Sequence, residues 1–327
     1  MSVMSDSPLV SVILTSYNYE AFVEEAIQSV YNQTYFNIEL IVVDDGSTDG
    51  SEDVIESLVL GAPFSVTTIY LKHSGQAGAF NAGFEKATGE IVCFLDSDDS
   101  WYPEKVRRVV DFIQAFSDGG VYQHPLDTGH GLKRGGMLSG DVFGLWKGWS
   151  GGVFNVADAS VGLLFNPFVP TTGLVFRKEI LDTIFPVPEQ LTTCIDGFLT
   201  RAAAAYGPLY SIPMTLGIWR DHGGNAGVSS EFGFEDFWVP VLLPALNDYF
   251  EKNGLGLELK YEPGTRSRIP ADQILGQLYS MLDLESGEAF REQVSRMPEL
   301  KSGILGRLLR VFLPESKVRA IRRFFRK

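Results

Sequence analysis

The chain has 327 residues, of which 45% are hydrophobic, and a formal net charge of -14 at pH 7. This length and composition allow one large domain or two modest ones with a sizeable core. The acidic balance argues against a general nucleic-acid-binding protein, because Lys and Arg bind phosphate backbones. An acidic protein that handles phosphates needs a metal ion.

The first 120 residues alternate short apolar runs with longer amphipathic ones, which is typical of βαβ units and a mainly parallel sheet. Four strands are predicted, at residues 9–15, 38–43, 65–71 and 90–95. The helices between them are predicted at residues 20–33, at about 49–60 with Asp49 as N-cap, and at about 76–87. Each predicted strand ends in a polar cluster.

The later elements are less regular. Residues 121–170 are rich in Gly and aromatic residues and too long for an ordinary connection, so we interpret them as an insertion with loops. Order resumes with a predicted strand at 171–176, a helix at 195–205 and two short extended pieces within 209–220. Residues 231–300 are predicted to be predominantly helical.

The cysteine content and the N-terminus indicate a cytoplasmic protein. Cys93 and Cys194 are too few for a disulfide framework or a Cys-rich metal site, which fits a reducing compartment. Residues 1–8 lack the apolar segment of a signal peptide, and no apolar run is long enough to span a bilayer. We therefore expect neither secretion by a signal peptide nor a membrane span.

Three carboxylates, Asp96, Asp98 and Asp99, directly follow the apolar run at 91–95. Carboxylates crowded together without a counter-ion raise each other's pKa, and a divalent metal is the simplest counter-ion. All-oxygen ligation favours Mg2+ or Mn2+ over Zn2+. Taken alone, these residues are equally compatible with a solvated acidic turn that caps a helix starting near Pro103.

The segment 44–49 also follows a predicted strand, at the edge of the sheet where open α/β folds bind ligands. Its carboxylates could accept hydrogen bonds from a base or a ribose, or they could only cap the turn. The chain has neither G-x-G-x-x-G nor G-x-x-x-x-G-K-[ST], so binding of a diphosphate would depend on metal.

Together these segments resemble the family 2 glycosyltransferases of the GT-A fold. The resemblance lies between Val10 and Pro103, in four segments that keep the family's order and spacing: 10–18, 39–50, 75–83 and 87–99. It implies an α/β fold of GT-A type, with a mainly parallel, Rossmann-like sheet flanked by helices and a helical C-terminal extension.

The resemblance also implies roles for single residues. Thr15, Tyr17 and Asp45 match the positions that hold the nucleotide base, usually uracil, with Asp45 accepting from a base N–H. Asp96, Asp98 and Asp99 match the D-x-D region, which binds the ribose and a Mn2+ or Mg2+ ion that bridges the diphosphate. Asp98 and Asp99 are the expected metal ligands in this region.

The distal part of the chain resembles the family's second pattern. Asp196 matches the catalytic base, and Arg220 and His222 match a loop that closes over the diphosphate. Arg220 would neutralise phosphate charge and His222 would bind the metal or the diphosphate.

Alternatives to these distal roles remain open. Ile195 stands where many family members have Glu, so the alignment could be shifted, and Asp182 and Asp221 are alternative bases. A loop histidine without a function is an equal alternative for His222.

The C-terminal residues 301–327 carry nine Lys or Arg against the single acid Glu315, and their apolar residues recur at helical spacing. Such a basic amphipathic tail could lie on an anionic membrane, through residues 303–327, or dock on the acidic body of the same protein. The expected division is a GT-A domain at 1–230, a helical region at 231–300 and this tail. Within the domain, 1–120 would bind the nucleotide sugar and 121–230 would supply the acceptor side and the base.

The leading hypothesis is a metal-dependent, inverting glycosyltransferase that uses a UDP-linked sugar and a glycan or lipid-linked acceptor in cell-surface or extracellular glycan synthesis. It would bind no nucleic acid and would work in the cytoplasm, with a membrane-peripheral position as one alternative. Two other readings keep the fold: a non-catalytic domain that binds nucleotide sugars, and a sugar nucleotidyltransferase. The chain lacks the Gly-rich basic loop that sugar nucleotidyltransferases carry near the N-terminus, which argues against the last reading.

Overall fold

The computed structural model describes residues 4–124, 126–128, 153–154, 169–207, 209–212, 214–220, 222 and 240–259. The strands are β1 (Val10–Ser16), β2 (Ile38–Asp44), β3 (Ser65–Tyr70), β4 (Ile91–Asp96), β5 (Ser100–Trp101), β6 (Val121–Gln123), β7 (Asp127–Thr128), β8 (Val153–Phe154), β9 (Leu174–Arg177), β10 (Leu209–Ser211) and β11 (Gly217–Trp219). The helices are α1 (Val23–Tyr31), α2 (Ser51–Val59), α3 (Gly75–Lys86), α4 (Lys105–Ala115), α5 (Lys178–Ile184), α6 (Ile195–Ala204) and α7 (Leu243–Lys252).

An eight-stranded sheet with the order β3-β2-β1-β4-β9-β6-β10-β8 forms the centre of the described fold. The first four strands of this order are parallel, as βαβ connections require, and β9 lies antiparallel between β4 and β6. The predicted α/β class with a mainly parallel sheet is confirmed. A smaller sheet has the order β5-β11-β7.

Alternate residues of the central strands pack against different helices. Val12 and Leu14 face the core beneath α1, α2 and α4, whereas Ile13 between them belongs to the core beneath α3, α5, α6 and α7. Because successive side chains of a strand point to opposite faces, both faces of a continuous apolar strand are covered. The result is a three-layer helix–sheet–helix arrangement.

Most predicted elements are present, with small shifts at their ends. The α1 prediction was too long at both ends, since the chain turns at Tyr19, whose carbonyl accepts from the Phe22 amide at 2.9 Å. Asp49 was wrongly predicted as N-cap, because α2 begins at Ser51 after Gly50. Asp49 instead accepts hydrogen bonds from the amide and the hydroxyl of Ser51, both on Oδ1.

The strand predicted at 171–176 was wrong in its first half. Thr171–Gly173 form a single 3-10 turn, and the strand begins at Leu174. The reason is local: the Gly173 amide donates to the Pro170 carbonyl at 2.8 Å, which closes a turn that an extended chain could not make.

Several predictions lie outside the described residues. These are residues 129–152 and 155–168 of the predicted loops, residues 231–239 and 260–300 of the predicted helical region, the tail at 301–327 and the candidate base Asp221. The proposed division at residue 230 stays a prediction for the same reason. No helix in the described part of the chain is long and apolar enough to cross a membrane.

Candidate active site

The carboxyl ends of β1, β2 and β4 meet at one edge of the sheet. In the strand register Thr15 lies beside Asp96, and Ser16 lies beside Asp44. The chain runs outward from β1 through β2 to β3 and then returns to β4 on the other side of β1. This reversal of strand order is where open α/β sheets bind ligands.

The acids after β4 are held by the small sheet. β5 follows Asp99 directly and pairs antiparallel with β11, so that the residues after β11 lie beside the acids. The Arg220 amide donates to Asp99 Oδ1 at 2.8 Å, and Arg220 Nε donates to the Asp98 carbonyl at 2.9 Å. His222 Nε2 lies 3.0 Å from Asp98 Oδ2. The structure therefore brings together the two distal residues and the acids that the sequence linked only by resemblance.

The 3-10 turn at Thr171–Gly173 also contacts these acids, through Thr172. The Thr172 hydroxyl donates to Asp99 Oδ2 at 2.5 Å, and its carbonyl accepts from Lys105 Nζ at 2.9 Å and from Trp101 Nε1 at 3.2 Å. Lys105 is fully buried, and its ammonium also lies 3.4 Å from the centre of the Trp101 ring. Both carboxylate oxygens of Asp99 thus accept hydrogen bonds from the protein.

Burial and mutual repulsion make Asp96 and Asp99 hard to ionise. Burial, and next Asp98, raise the pKa of Asp99 to about 8, although Thr172 and Arg220 act in the opposite direction. The pKa of Asp96 is raised well above its usual value by burial and by the charges of Asp98, Asp99 and Asp196. Removal of Lys105 from water lowers the pKa of its ammonium to about 7. The site is therefore short of positive charge.

Asp196 lies at the start of α6, on the other chain segment that reaches this edge. Its Oδ1 accepts from the Gly197 amide at 2.8 Å, and its charge is close enough to raise the pKa of Asp96. Burial raises the pKa of Asp196 itself, while the Gly197 amide and Arg201 lower it. Arg201 is fully buried and donates to the Gly197 carbonyl at 2.8 Å. A carboxyl with a raised pKa is suited to accept a proton.

The alternative base Asp182 lies elsewhere. It is on α5, its side chain is half exposed, and it forms an ion pair with Lys178 at 2.6 Å. Helix α5 begins beside the start of β4, where the Lys178 amide donates to the Glu90 carbonyl at 2.9 Å, whereas the acids follow the end of that strand. Among the described candidates, Asp196 is therefore the one that reaches the site.

Asp45 and Tyr17 lie together in a second part of the edge. Asp45 accepts from the Ser74 amide at 2.6 Å, the Ser74 hydroxyl at 2.9 Å and the Gly75 amide at 2.8 Å. It thereby joins the end of β2 to the first turn of α3. Tyr17 stacks on His73 with ring centres 4.2 Å apart, and His73 Nδ1 lies 3.2 Å from Asp45 Oδ2. A flat aromatic surface thus lies beside a buried carboxylate.

The turn after β2 keeps Asp45 in place. Gly46 has a φ of 78°, and a Cβ at this position would lie 2.7 Å from the His73 amide nitrogen. Asp44 accepts from the Ser47 amide at 2.7 Å and from the Ser47 hydroxyl at 2.6 Å. The turn after β2 is therefore tight, and Asp44 stabilises it by accepting both hydrogen bonds from Ser47.

The donor set beside β11 fits a hard divalent cation. Asp98 Oδ2 and His222 Nε2 converge, and two buried hydroxyls, Ser16 Oγ at the end of β1 and Ser97 Oγ just after β4, have no hydrogen-bond partner among the described residues. In the described part of the chain no three His, Cys, Asp or Glu side chains are arranged to hold an ion alone. Mg2+ and Mn2+ commonly take only one or two protein carboxylates and complete their coordination with water and phosphate oxygens.

Comparison with known proteins identifies the family. The family model described as Glycosyl transferase family 2 matches residues 11–185, more than half of the chain. The chain belongs to this family. An uncharacterized glycosyltransferase of Nostoc sp. (strain PCC 7120 / SAG 25.82 / UTEX 2576) is 37% identical over 262 residues, which cover 76% of this chain and 77% of that protein. The chain is thus a family 2 glycosyltransferase.

Solved structures support the GT-A-like fold. S. aureus TarS 1-349 in complex with UDP-GlcNAc aligns with a TM-score of 0.61 at 19% identity, over 93% of this chain and 83% of that chain. The mannosyltransferase PcManGT from Pyrobaculum calidifontis in complex with GDP-Man and Mn2+ aligns with a TM-score of 0.51 at 17% identity, over 91% and 87%. At these identities the likeness shows the fold.

One relative with a detailed name matches only in part. The Escherichia coli UDP-Glc:alpha-D-GlcNAc-diphosphoundecaprenol beta-1,3-glucosyltransferase WfaP is 37% identical over 106 residues, which cover 32% of this chain and 41% of WfaP.

Sequence reasoning missed three residues of the candidate site. His73 was left unassigned, although its position between β3 and Gly75 was a usable signal. Thr172 was placed within a strand, and Lys105 carries no motif at all. Each reaches the site through a contact between segments distant in sequence, which periodicity does not reveal.

Proposed function

We propose that the chain is a metal-dependent, inverting glycosyltransferase that moves a sugar from a UDP-linked donor to a hydroxyl acceptor. The observation that carries this proposal is that Asp196 lies at the start of α6, beside the start of α3, where the Ile195 amide donates to Gln76 Oε1 at 3.4 Å, and that its charge raises the pKa of Asp96. One set of groups can bind the leaving diphosphate while the other accepts a proton. A single in-line displacement inverts the configuration of the anomeric carbon, and no covalent intermediate on a second nucleophile is needed.

In the proposed reaction the acceptor oxygen forms a bond to the anomeric carbon as the bond from that carbon to the diphosphate breaks. The proton of the hydroxyl passes to the Asp196 carboxylate, and the bonding electrons leave with the diphosphate. A bound Mg2+ or Mn2+ would neutralise charge on the departing phosphates. Asp98 and His222 would hold this ion, with Asp99 as the further predicted ligand.

The guanidinium group of Arg220 would help to bind the diphosphate. Arg220 lies beside Asp98 and Asp99 and is the guanidinium predicted to pair with phosphate oxygens. Asp96 lies beside Thr15 in the register and is proposed to bind the ribose. Thus the proposed donor site runs from the end of β1 to the residues after β11.

A nucleotide base is proposed to lie beside Tyr17 and Asp45. The Tyr17 ring is 40% exposed and could stack on a pyrimidine, while Asp45 could accept from its N–H. In this structure three protein donors already hold Asp45, so the base would use its remaining acceptor capacity. His73 would then border the base.

Uridine is the proposed nucleoside because TarS is described with UDP-GlcNAc and WfaP is named for UDP-Glc. The name of WfaP also contains a lipid diphosphate acceptor, and we propose a glycan or lipid-linked acceptor in cell-surface glycan synthesis. PcManGT is described with GDP-Man and Mn2+, which supports the choice of metal and makes guanosine the competing nucleoside.

The test is release of nucleoside diphosphate from a panel of UDP-, GDP- and dTDP-sugars, measured with Mn2+, with Mg2+ and with chelator. We expect slow hydrolysis of one UDP-sugar that chelator abolishes. Hydrolysis that persists in chelator would contradict the metal dependence, and preference for a GDP-sugar would contradict the proposed base. Absence of both turnover and nucleotide binding would contradict the donor site itself.

A further inference from the structure

Three residues at the entry to α1 contact the segment after β11. Tyr19 and Phe22 precede the helix and Glu25 lies in its first turn, at intervals of three residues. We call Tyr19, Phe22 and Glu25 the α1 seat. Each of them contacts Arg220 or His222, the two distal residues of the proposed donor site.

The contacts of the α1 seat divide between the two distal side chains. The His222 ring lies 5.0 Å from the Phe22 ring and edge-on to Tyr19 at 5.6 Å, measured between ring centres. The Arg220 guanidinium carbon lies 5.3 Å from the centre of the Phe22 ring, and its Nη2 lies 2.6 Å from Glu25 Oε2. The segment is therefore enclosed between the seat and the acids at 98–99.

The α1 seat is itself fixed to the sheet edge. The Tyr19 amide donates to Ser51 Oγ at 3.1 Å, and the Glu20 amide donates to Asp49 Oδ2 at 3.0 Å. The Glu20 carboxylate in turn accepts from the Gly50 amide at 3.0 Å. These hydrogen bonds join the loop after β1 to the loop after β2. The α1 seat therefore has a fixed position and can orient the side chains that pack on it, Arg220 and His222.

We infer that the α1 seat positions Arg220 and His222 for the donor diphosphate, and that Glu25 is a positioning residue that orients the Arg220 guanidinium. This inference rests on the proposed function, because it takes Arg220 as a phosphate-binding group. In this inference Glu25 acts only through Arg220, with which it forms an ion pair. An arginine already held in one geometry loses less conformational freedom when a phosphate binds.

Binding of UDP and of uridine to the full chain, both with Mn2+ present, tests the inference by calorimetry. In Glu25→Gln we expect the Kd for UDP to rise about fivefold, the upper range for an exposed ion pair, and the Kd for uridine to stay unchanged. Glu24→Gln is the matched control, since Glu24 is an exposed acid of the same helix turn, and both constants should match the wild type.

A double-variant cycle shows whether Glu25 acts through Arg220. In the Arg220→Gln background, Glu25→Gln should cause no further loss of UDP affinity. Unchanged or tighter UDP binding in Glu25→Gln, or an equal loss in both backgrounds, would overturn the positioning role.

Hydrogen exchange provides a readout that needs no ligand. In Phe22→Leu we expect faster exchange of the peptide that covers residues 217–222, where the Arg220 amide is bonded to Asp99. Unchanged exchange would overturn the seat. If the wild type binds no nucleoside diphosphate, the proposed function fails and this inference with it. If the wild type binds UDP and the seat variants do too, only this inference fails.

Discussion

At the scale of single residues, four aspartates of the site occupy four environments. Asp45 accepts three hydrogen bonds from the start of α3, and Asp99 accepts one hydrogen bond on each oxygen. Asp98 faces His222, and Asp196 lies against its own helix start. A metal at Asp99 would have to share an oxygen with Thr172 or with the Arg220 amide. The environments therefore favour Asp98 as the main carboxylate ligand.

Lys105 gives a prediction about pH. Its pKa is lowered by burial to about 7 in the folded protein, whereas an unfolded lysine titrates near 10.4. Between these values the unfolded state binds more protons than the native state, so the free energy of unfolding rises with pH. Urea unfolding of wild type and Lys105→Met should show the wild type gaining stability relative to the variant above pH 7, by roughly 2 kcal/mol near pH 9.

The same comparison at lower pH is the internal control. Below pH 7 the lysine is protonated in both states, so the difference between the two proteins should not change with pH. A difference that stays constant up to pH 9 would contradict an uncharged buried Lys105.

Site residues that directly follow a strand could be predicted from the sequence. Site residues that reach the site only through contacts between segments distant in sequence could not. Asp45 and Asp96 could be placed because a strand end can be recognised from an apolar run and the acids after it. His73, Thr172 and Lys105 could not, because each depends on how a loop, a turn or a helix packs on another element. Whether a single lysine or threonine is buried cannot be predicted from the residues next to it in the sequence.

At the scale of elements, the contact of α3 with the central sheet depends on a small residue. A Cβ at Gly83 would lie 2.6 Å from Ile13 Cγ2 and 3.2 Å from Val43 Cγ2, and both of these strand residues are fully buried. Helix α3 begins at the Asp45 site, so its position matters for the base. We predict that Gly83→Ala destabilises the protein by about 1–3 kcal/mol through overpacking, measured by urea unfolding.

Gly61 offers a matched control for this helix contact. It follows α2, it is exposed, and a Cβ there would meet nothing within 4 Å. Gly61→Ala should leave the free energy of unfolding within about 0.5 kcal/mol of the wild type. Equal effects of the two substitutions would show that α3 does not pack closely on β1 and β2.

Long periodic elements could be predicted from sequence, and short ones could not. The four parallel strands and the helices between them were predicted because each has an apolar run or a helical repeat of sufficient length. The pairing of β5 with β11 involves strands of two and three residues, which have no detectable period. Yet this pairing is what brings Arg220 and His222 to the acids.

At the scale of the whole molecule, charge is unevenly distributed along the chain. The total is -14, although residues 301–327 carry nine basic residues and one acid. We propose that this tail binds anionic membranes, and we predict that the full chain sediments with phosphatidylglycerol vesicles at low salt while a chain lacking residues 303–327 does not. Neutral vesicles are the control. Failure of both proteins to sediment would instead favour docking of the tail on the acidic body, and equal sedimentation of both would contradict the membrane role of the tail.

The most direct test compares UDP binding and UDP-sugar hydrolysis, with Mn2+, in Asp98→Ala, Asp196→Asn and Asp182→Asn. We predict that Asp98→Ala loses both properties, because the metal and the diphosphate are no longer held. Asp196→Asn should bind UDP normally and lose hydrolysis by at least about a hundredfold, and Asp182→Asn should behave as the wild type. Full hydrolysis in Asp196→Asn, or its loss in Asp182→Asn, would contradict the assignment of the base and with it the proposed site.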